Sequence, residues 1–162
     1  GCIGCYKCRE LGRCVFDKDI VNEVAKKFEQ ADGLIIGSPV YYAGPNGTLV
    51  SFLNRLFFSA SFSKRFKVGA AVVSARRMGT TATLDTLNKY FLHGEMPVAA
   101  SRYWNAVHGN SPEEVVKDEE GLQTMRVLGR NMAFLIRAIH VERECGGLPE
   151  QESRRIATNF IR

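Results

Sequence analysis

Two short apolar runs, Leu34-Ile35-Ile36-Gly37-Ser38-Pro39 and Val68-Gly69-Ala70-Ala71-Val72-Val73-Ser74, are separated by an amphipathic stretch of helical period. This alternation is the feature that most narrows the fold. A segment apolar at successive positions has no solvent-facing side, so each run is predicted as a strand buried on both faces. Ahead of the first run, Asp17 or Asp19 caps a predicted helix that carries Ile20, Val21, Val24, Ala25 and Phe28 at three- and four-residue intervals. Between the runs, Thr48 to about Phe58 places Leu49, Phe52, Leu53 and Leu56 on one side of a helix. After the second run, a helix is predicted from Thr80 to Phe91 and a third strand at Pro97-Val98-Ala99-Ala100. Ser111-Pro112 opens a helical stretch, and Asp118 to Glu144 forms the longest helix, striped by Leu122, Met125, Leu128, Met132, Leu135 and Ile139. Strands alternating with helices define βαβ units, so the predicted fold is α/β: a doubly wound parallel sheet with helices on both faces.

A chain of 162 residues suits one domain, predicted over 1–145, with 146–162 as a C-terminal tail. Three strands are visible where a sheet of this kind has about five. The first strand, its phosphate-binding loop and the second strand are therefore expected upstream of Gly1. No apolar run approaches the ~20 residues that span a bilayer, so no transmembrane helix is expected. The 22 basic and 17 acidic residues leave a net charge of +5, which favours anionic ligands. Those basic residues are scattered, unlike the dense blocks of a dedicated nucleic-acid binder.

Four of the five cysteines crowd into the first fourteen residues as Cys2-x2-Cys5-x2-Cys8-x5-Cys14. Two disulfides would need an oxidising compartment and short strained loops. Zinc knuckles are usually separated by a dozen or more residues, a gap this segment lacks. The repeated two-residue spacing matches ferredoxin-type runs that wrap an iron–sulfur cubane, and Gly4 and Gly12 let the backbone curl around one. Four reduced, metal-free thiols remain the plain alternative. Cys145, alone near the end of the long helix, is expected to pack.

In a doubly wound sheet the ligand sits beyond the carboxyl ends of the strands. The loops there are Pro39-Val40-Tyr41-Tyr42-Ala43-Gly44-Pro45-Asn46-Gly47 and Ser74-Ala75-Arg76-Arg77-Met78-Gly79. Two phenol rings beside a pliable turn suit a flat, conjugated ligand, which can stack on a ring while exposed amides meet its polar edge. Arg76 and Arg77, between a strand end and a helix start, can meet an anionic or electron-rich group. Packing of Tyr42 under its loop and simple solvation of the arginines stand as the bland readings. Trp104, after the third strand, either lines the same mouth or packs. His93, His108 and His140 show no spacing for a metal site or a triad, and no Gly-x-Ser-x-Gly elbow marks a hydrolase.

The cysteine run, followed by Asp17-Lys18-Asp19 and then Ala31-Asp32-Gly33-Leu34-Ile35-Ile36-Gly37-Ser38-Pro39-Val40-Tyr41, resembles the flavodoxin-like NADPH-dependent FMN reductase family. Within it, the cysteine spacing is most similar to the iron–sulfur flavoproteins. The likeness continues through Leu53-Asn54-Arg55, Lys67-Val68-Gly69-Ala70 and Gly121-Leu122-Gln123-Thr124. It implies a flavodoxin-like fold and bound FMN, with Pro39, Val40, Tyr41, Tyr42, Gly44, Asn46 and Gly47 at the ribityl and ring edge. Ser74, Ala75, Arg76, Arg77 and Gly79 would hold the isoalloxazine face and pyrimidine edge, and Cys2, Cys5, Cys8 and Cys14 a 4Fe-4S cluster. The family's phosphate loop, which precedes the cysteines, lies outside this sequence. Relatives are also glycine-rich where this chain reads Ala75-Arg76-Arg77-Met78-Gly79-Thr80.

The expected function is that of an FMN-dependent oxidoreductase fed by NAD(P)H or ferredoxin. The flavin carries the electron chemistry, so no catalytic side chain is assigned. A cytoplasmic homodimer or homotetramer is expected, in which a neighbouring subunit completes the flavin pocket, with no nucleic acid or membrane as partner. Two rivals stand beside it: a metal-free NAD(P)H:quinone or FMN reductase, and a non-catalytic zinc-binding module that docks on nucleic acid.

Overall fold

A computed structural model describes residues 1–152 together with 156, 158 and 160. Helix α1 (Cys8–Leu11) and helix α2 (Val21–Gln30) lead into strand β1 (Gly33–Tyr41), whose chain turns back as β2 (Gly44–Pro45). Helix α3 (Gly47–Ser59), strand β3 (Val68–Ala75), helix α4 (Thr80–His93), strand β4 (Ala106–His108), helix α5 (Pro112–Val115) and helix α6 (Glu119–Cys145) follow. The sheet order is β2-β1-β3-β4, with β1, β3 and β4 parallel and β2 antiparallel to β1. Residues 146–152 have no regular structure, and the rest of the expected tail lies largely outside the described residues.

Alternation along β3 explains the two layers. Ala71 and Val73, with Ile36 of β1, pack against Val21 and Phe28 of α2, Leu53 and Leu56 of α3, and Leu84, Leu87 and Phe91 of α4. Val68 and Ala70 point the other way, onto Leu128 and Met132 of α6. Burying each large aliphatic or aromatic side chain contributes about 1.5–3 kcal/mol, so the first layer carries most of the core. β3 is covered on both sides, as its unbroken apolar run requires.

β1 is not. Ile36 and Ser38 are buried, whereas Ile35 is 56% exposed and Gly37 and Pro39 also face solvent. The expectation of burial on both faces fails here for two reasons. Helix α6 meets β1 near its start, where a Cβ on Gly33 would lie 2.7 Å from Met132 Cε. The edge of β1 opposite β3 pairs with β2 at Val40 and Tyr41, and over Gly33–Pro39 it carries no strand among the described residues.

The third parallel strand also differs from expectation. Residues 97–99 touch β3 through a single bridge, Gly69 N donating to Pro97 O (2.8 Å) and Ala99 N to Gly69 O (2.8 Å). The chain then swings out, and Asn105 re-enters by accepting from Val73 N at 3.0 Å. Asn105 Nδ2 donates to Ala71 O (3.1 Å), so a side chain fills the gap in the ladder before β4 begins. A polar insertion has moved the regular strand from Pro97–Ala100 to Ala106–His108.

Gly69 faces Phe91 so closely that a Cβ would lie 2.5 Å from the ring. Gly69→Ala therefore forces strand β3 and helix α4 apart, and overpacking of this kind costs roughly 1–3 kcal/mol. The urea midpoint of the variant should fall; an unchanged midpoint would show that Phe91 has room to move.

Candidate functional site

The cysteine segment lies across the second half of α3. Gly4 (φ +64), Tyr6 (φ +57) and Gly12 (φ +66) adopt left-handed backbone and curl it, as the two glycines foretold. Tyr6 stacks edge-on against Phe58, and the Cys8 thiol approaches Phe58 O at 3.9 Å. Cys2, Cys5, Cys8 and Cys14 all line one cavity, whose other walls include Ile3, Tyr6, Val15, Phe16 and Phe58. All five cysteines are free thiols, and Cys145 is exposed rather than packed. Among the described residues no three His, Cys, Asp or Glu side chains have converged to hold a metal ion as they stand. The donor set is nevertheless the right one: four thiols of ferredoxin-type spacing share one apolar hollow on a curled backbone.

Cys14 is the fixed member of the four. Asn22 grips its backbone from both sides, accepting from Cys14 N at 3.0 Å and donating Nδ2 to Cys14 O at 3.0 Å. Its sulfur meets Arg55, which donates Nη2 to Cys14 Sγ (3.2 Å) and to Phe16 O (3.1 Å) and Nη1 to Asp19. The arginine also lies over the Phe16 ring. Asp19 completes the chain of contacts, since its other oxygen accepts from Val21 N (3.1 Å) at the start of α2. The Arg55 guanidinium, helped by the Val21 N–H, holds the Asp19 carboxyl below its ordinary value, and Asp19 raises Arg55 in return.

The other end of α3 carries the first strand-end loop. Tyr42 (φ +50) and Ala43 (φ +56) form the tight turn between β1 and β2, a conformation that usually calls for glycine or asparagine. Gly44-Pro45 returns the strand, and Asn46-Gly47 starts the helix. Asn46 caps α3 by accepting from Leu49 N (3.1 Å), and its own N–H donates to Ser38 Oγ at 2.9 Å. Tyr41 and Tyr42 project into solvent, Tyr42 completely, so neither packs beneath the loop.

The second loop meets the first. Gly79 has φ +93, and a Cβ there would lie 2.7 Å from Ala43 Cα and 2.8 Å from Val40 Cγ1. Arg76, Arg77 and Met78 stand exposed on the rim, Ser74 is partly buried, and Ala75 is buried with its carbonyl accepting from Gly109 N at 3.2 Å. The structure thus brings Pro39–Gly47 and Ser74–Gly79 together at one mouth, with the cysteine hollow toward the opposite end of α3. Beside the mouth, Thr80, Thr81, Trp104 and His108 line a second cavity of about 310 Å³, so Trp104 does face open space. Asp118 closes its floor, accepting from Gly121 N (2.9 Å) and His108 N (2.7 Å), and these N–H groups hold its carboxyl below the usual range.

Sequence reasoning missed Arg55, Asn22 and Ser59. A signal for the first was available: Arg55 falls three residues after Phe52 and beside Leu56, on the apolar side of a helix where a charge needs a partner.

The parallel sheet, its crossover helices and paired strand-end loops define a flavodoxin-like protein. The WrbA-like flavodoxin of Agrobacterium tumefaciens superposes with a TM-score of 0.57 at 20% identity, covering 70% of this chain and 71% of that one. Rubredoxin oxygen:oxidoreductase from Desulfovibrio gigas gives 0.52 at 17% identity over 67% of this chain and 24% of its own. The NADPH-dependent FMN reductase family matches residues 3–111, and the chain belongs to that FMN-binding family of oxidoreductases. An iron–sulfur flavoprotein of Methanocaldococcus jannaschii is 35% identical over 146 residues, 85% of this chain and 75% of the relative. Another from Methanosarcina thermophila is 28% identical over 148 residues, 88% and 75% of the two chains. No helix among the described residues is long and apolar enough to cross a membrane.

A carboxylate held below its ordinary value stabilises the fold above about pH 4, its unfolded value, and loses that effect as pH falls through the folded value. Asp19→Asn should therefore lower the urea midpoint at neutral pH, with a deficit that shrinks below about pH 4. A deficit that stayed constant into acid would show that the Asp19–Arg55 contact does not stabilise the fold.

Proposed function

We propose that this protein is an FMN-dependent electron-transfer oxidoreductase that draws electrons from NAD(P)H or a ferredoxin and carries a 4Fe-4S cluster on Cys2, Cys5, Cys8 and Cys14. The observation that carries the reading is the placement of all four thiols around one apolar hollow in a chain of the FMN reductase family. When bound, FMN supplies hydride and single-electron exchange, and the cluster supplies single-electron transfer.

The residues of the two loops fit FMN. Tyr41 offers an exposed ring for stacking, and Gly79, packed without a side chain against Ala43 and Val40, holds the two loops together. Arg76 and Arg77 supply positive charge where a reduced, anionic ring or a donor's phosphate would sit. The exposed Tyr42 and Met78 suit coverage by a second copy of the chain, in a homodimer or homotetramer. The cavity at Thr80, Trp104 and His108 lies at the carboxyl ends of β3 and β4, where a small acceptor or donor can approach. Thiols that serve as ligands must stay reduced, which favours the cytoplasm.

Two variants of anaerobically purified protein test the two halves of the reading separately. Cys5→Ala should lose iron and keep FMN; unchanged iron content would refute the ligand assignment. Tyr41→Ala should weaken FMN binding by about tenfold, the worth of one aromatic contact near 1.4 kcal/mol, while iron stays. Equal affinity in a flavin titration would show the ring to be uninvolved.

A further inference from the structure

Two residues that line the apolar hollow beneath the cysteines carry buried polar atoms that the fold leaves unpartnered. Arg55 is 9% exposed and Ser59, one turn further along α3, is 5% exposed. Both line the hollow with the four cysteines. Arg55 Nε and Ser59 Oγ are buried without a hydrogen-bond partner. A buried donor left unmade costs about 1–3 kcal/mol, so two of them on one wall, beside a third donor already on Cys14 Sγ, point to an acceptor-rich, anionic occupant. Sulfur atoms of a thiolate-held cluster are acceptors of that kind.

From this we infer that Arg55 and Ser59 set the reduction potential of the cluster by hydrogen bonding to its sulfur atoms, Arg55 adding a positive charge on the same side. The inference rests on the cluster reading given above. Reduction adds one electron from an external reductant and makes the cluster one unit more negative, with no bond formed or broken. Donors and a positive charge at the sulfur atoms favour that more negative state and raise the potential. Asp19 does not cancel the effect, because it binds the far side of the guanidinium and its side chain is 44% exposed, where water screens it. The remaining walls, including Ile3, Tyr6, Val15, Phe16 and Phe58, bring no further charge, so Arg55 is the one charged side chain lining the hollow. Arg55 and Ser59 are positioning and tuning residues; neither transfers an electron or a proton.

The test is a dye-mediated redox titration of anaerobically purified full chain, following the cluster by electron paramagnetic resonance and FMN by its visible absorbance. Arg55→Met should make cluster reduction at least tenfold less favourable, a shift of ~59 mV to more negative potential for one electron, with the FMN potentials unmoved. Ser59→Ala, which removes one oxygen and leaves the packing intact, should shift the cluster in the same direction by less. Arg55→Lys should fall between wild type and Arg55→Met, because it restores charge without the fork of donors. Variants that keep iron, sulfide and the wild-type cluster potential overturn the inference, as does lower stability with no change in potential. If Arg55→Met fails to fold, Ser59→Ala decides by the same criterion. Wild-type protein without iron and sulfide would instead overturn the cluster reading itself.

Discussion

One buried guanidinium ties the cysteine segment to the rest of the molecule. Arg55 joins the start of α2 through Asp19, the connecting chain through Phe16 O, and the cysteine segment through Cys14 Sγ, all from the core-facing side of α3. Arg55 is buried while its partner Asp19 is half-exposed, and the three contacts that share the guanidinium fix where Cys14 sits. Cys14 is accordingly the most buried of the four thiols, while Cys2 and Cys5 remain exposed on a curled, glycine-containing lead.

Helix α3 joins this hollow to the mouth between the two strand-end loops. Its N-terminus is pinned by Asn46, which also anchors the first loop to Ser38, and its last turns carry Arg55 and Ser59. Its inner face, Leu53 and Leu56, packs into the principal core. A shift of this helix would disturb both sites together, whereas the cavity by Trp104 is held by a different set of contacts, from Asp118 to the backbone of β4 and α6. The mouth itself depends on close approach: Gly79 touches Ala43 and Val40 without a side chain between them, and Tyr42-Ala43 hold a left-handed turn whose strain the two strands must support.

The helices and the two central strands were legible because their periods are unambiguous. Val68–Ala75 reads as a doubly covered strand and is one; the stripe of α6 meets the sheet from Leu128 onward, whereas in its first turns Gly121 and Thr124 are buried rather than Leu122 and Met125. The edges were not legible. Ile35 follows the same apolar pattern as Ile36, and nothing local says that α6 covers β3 and leaves most of β1 open. The broken third strand depends on a side-chain amide, Asn105, standing in for backbone, a long-range event without a local signature. The thiols and both loops stood out because their residue types are rare and their spacing is short. Arg55 was overlooked because its partners, Asp19 and Cys14, lie 36 and 41 residues away in sequence.

Chemical analysis of wild-type chain purified under argon tests the account most directly. The account predicts FMN together with iron and acid-labile sulfide in equal amounts, about four of each per chain. Protein that holds FMN but neither iron nor sulfide, or that carries stoichiometric zinc in their place, would contradict it.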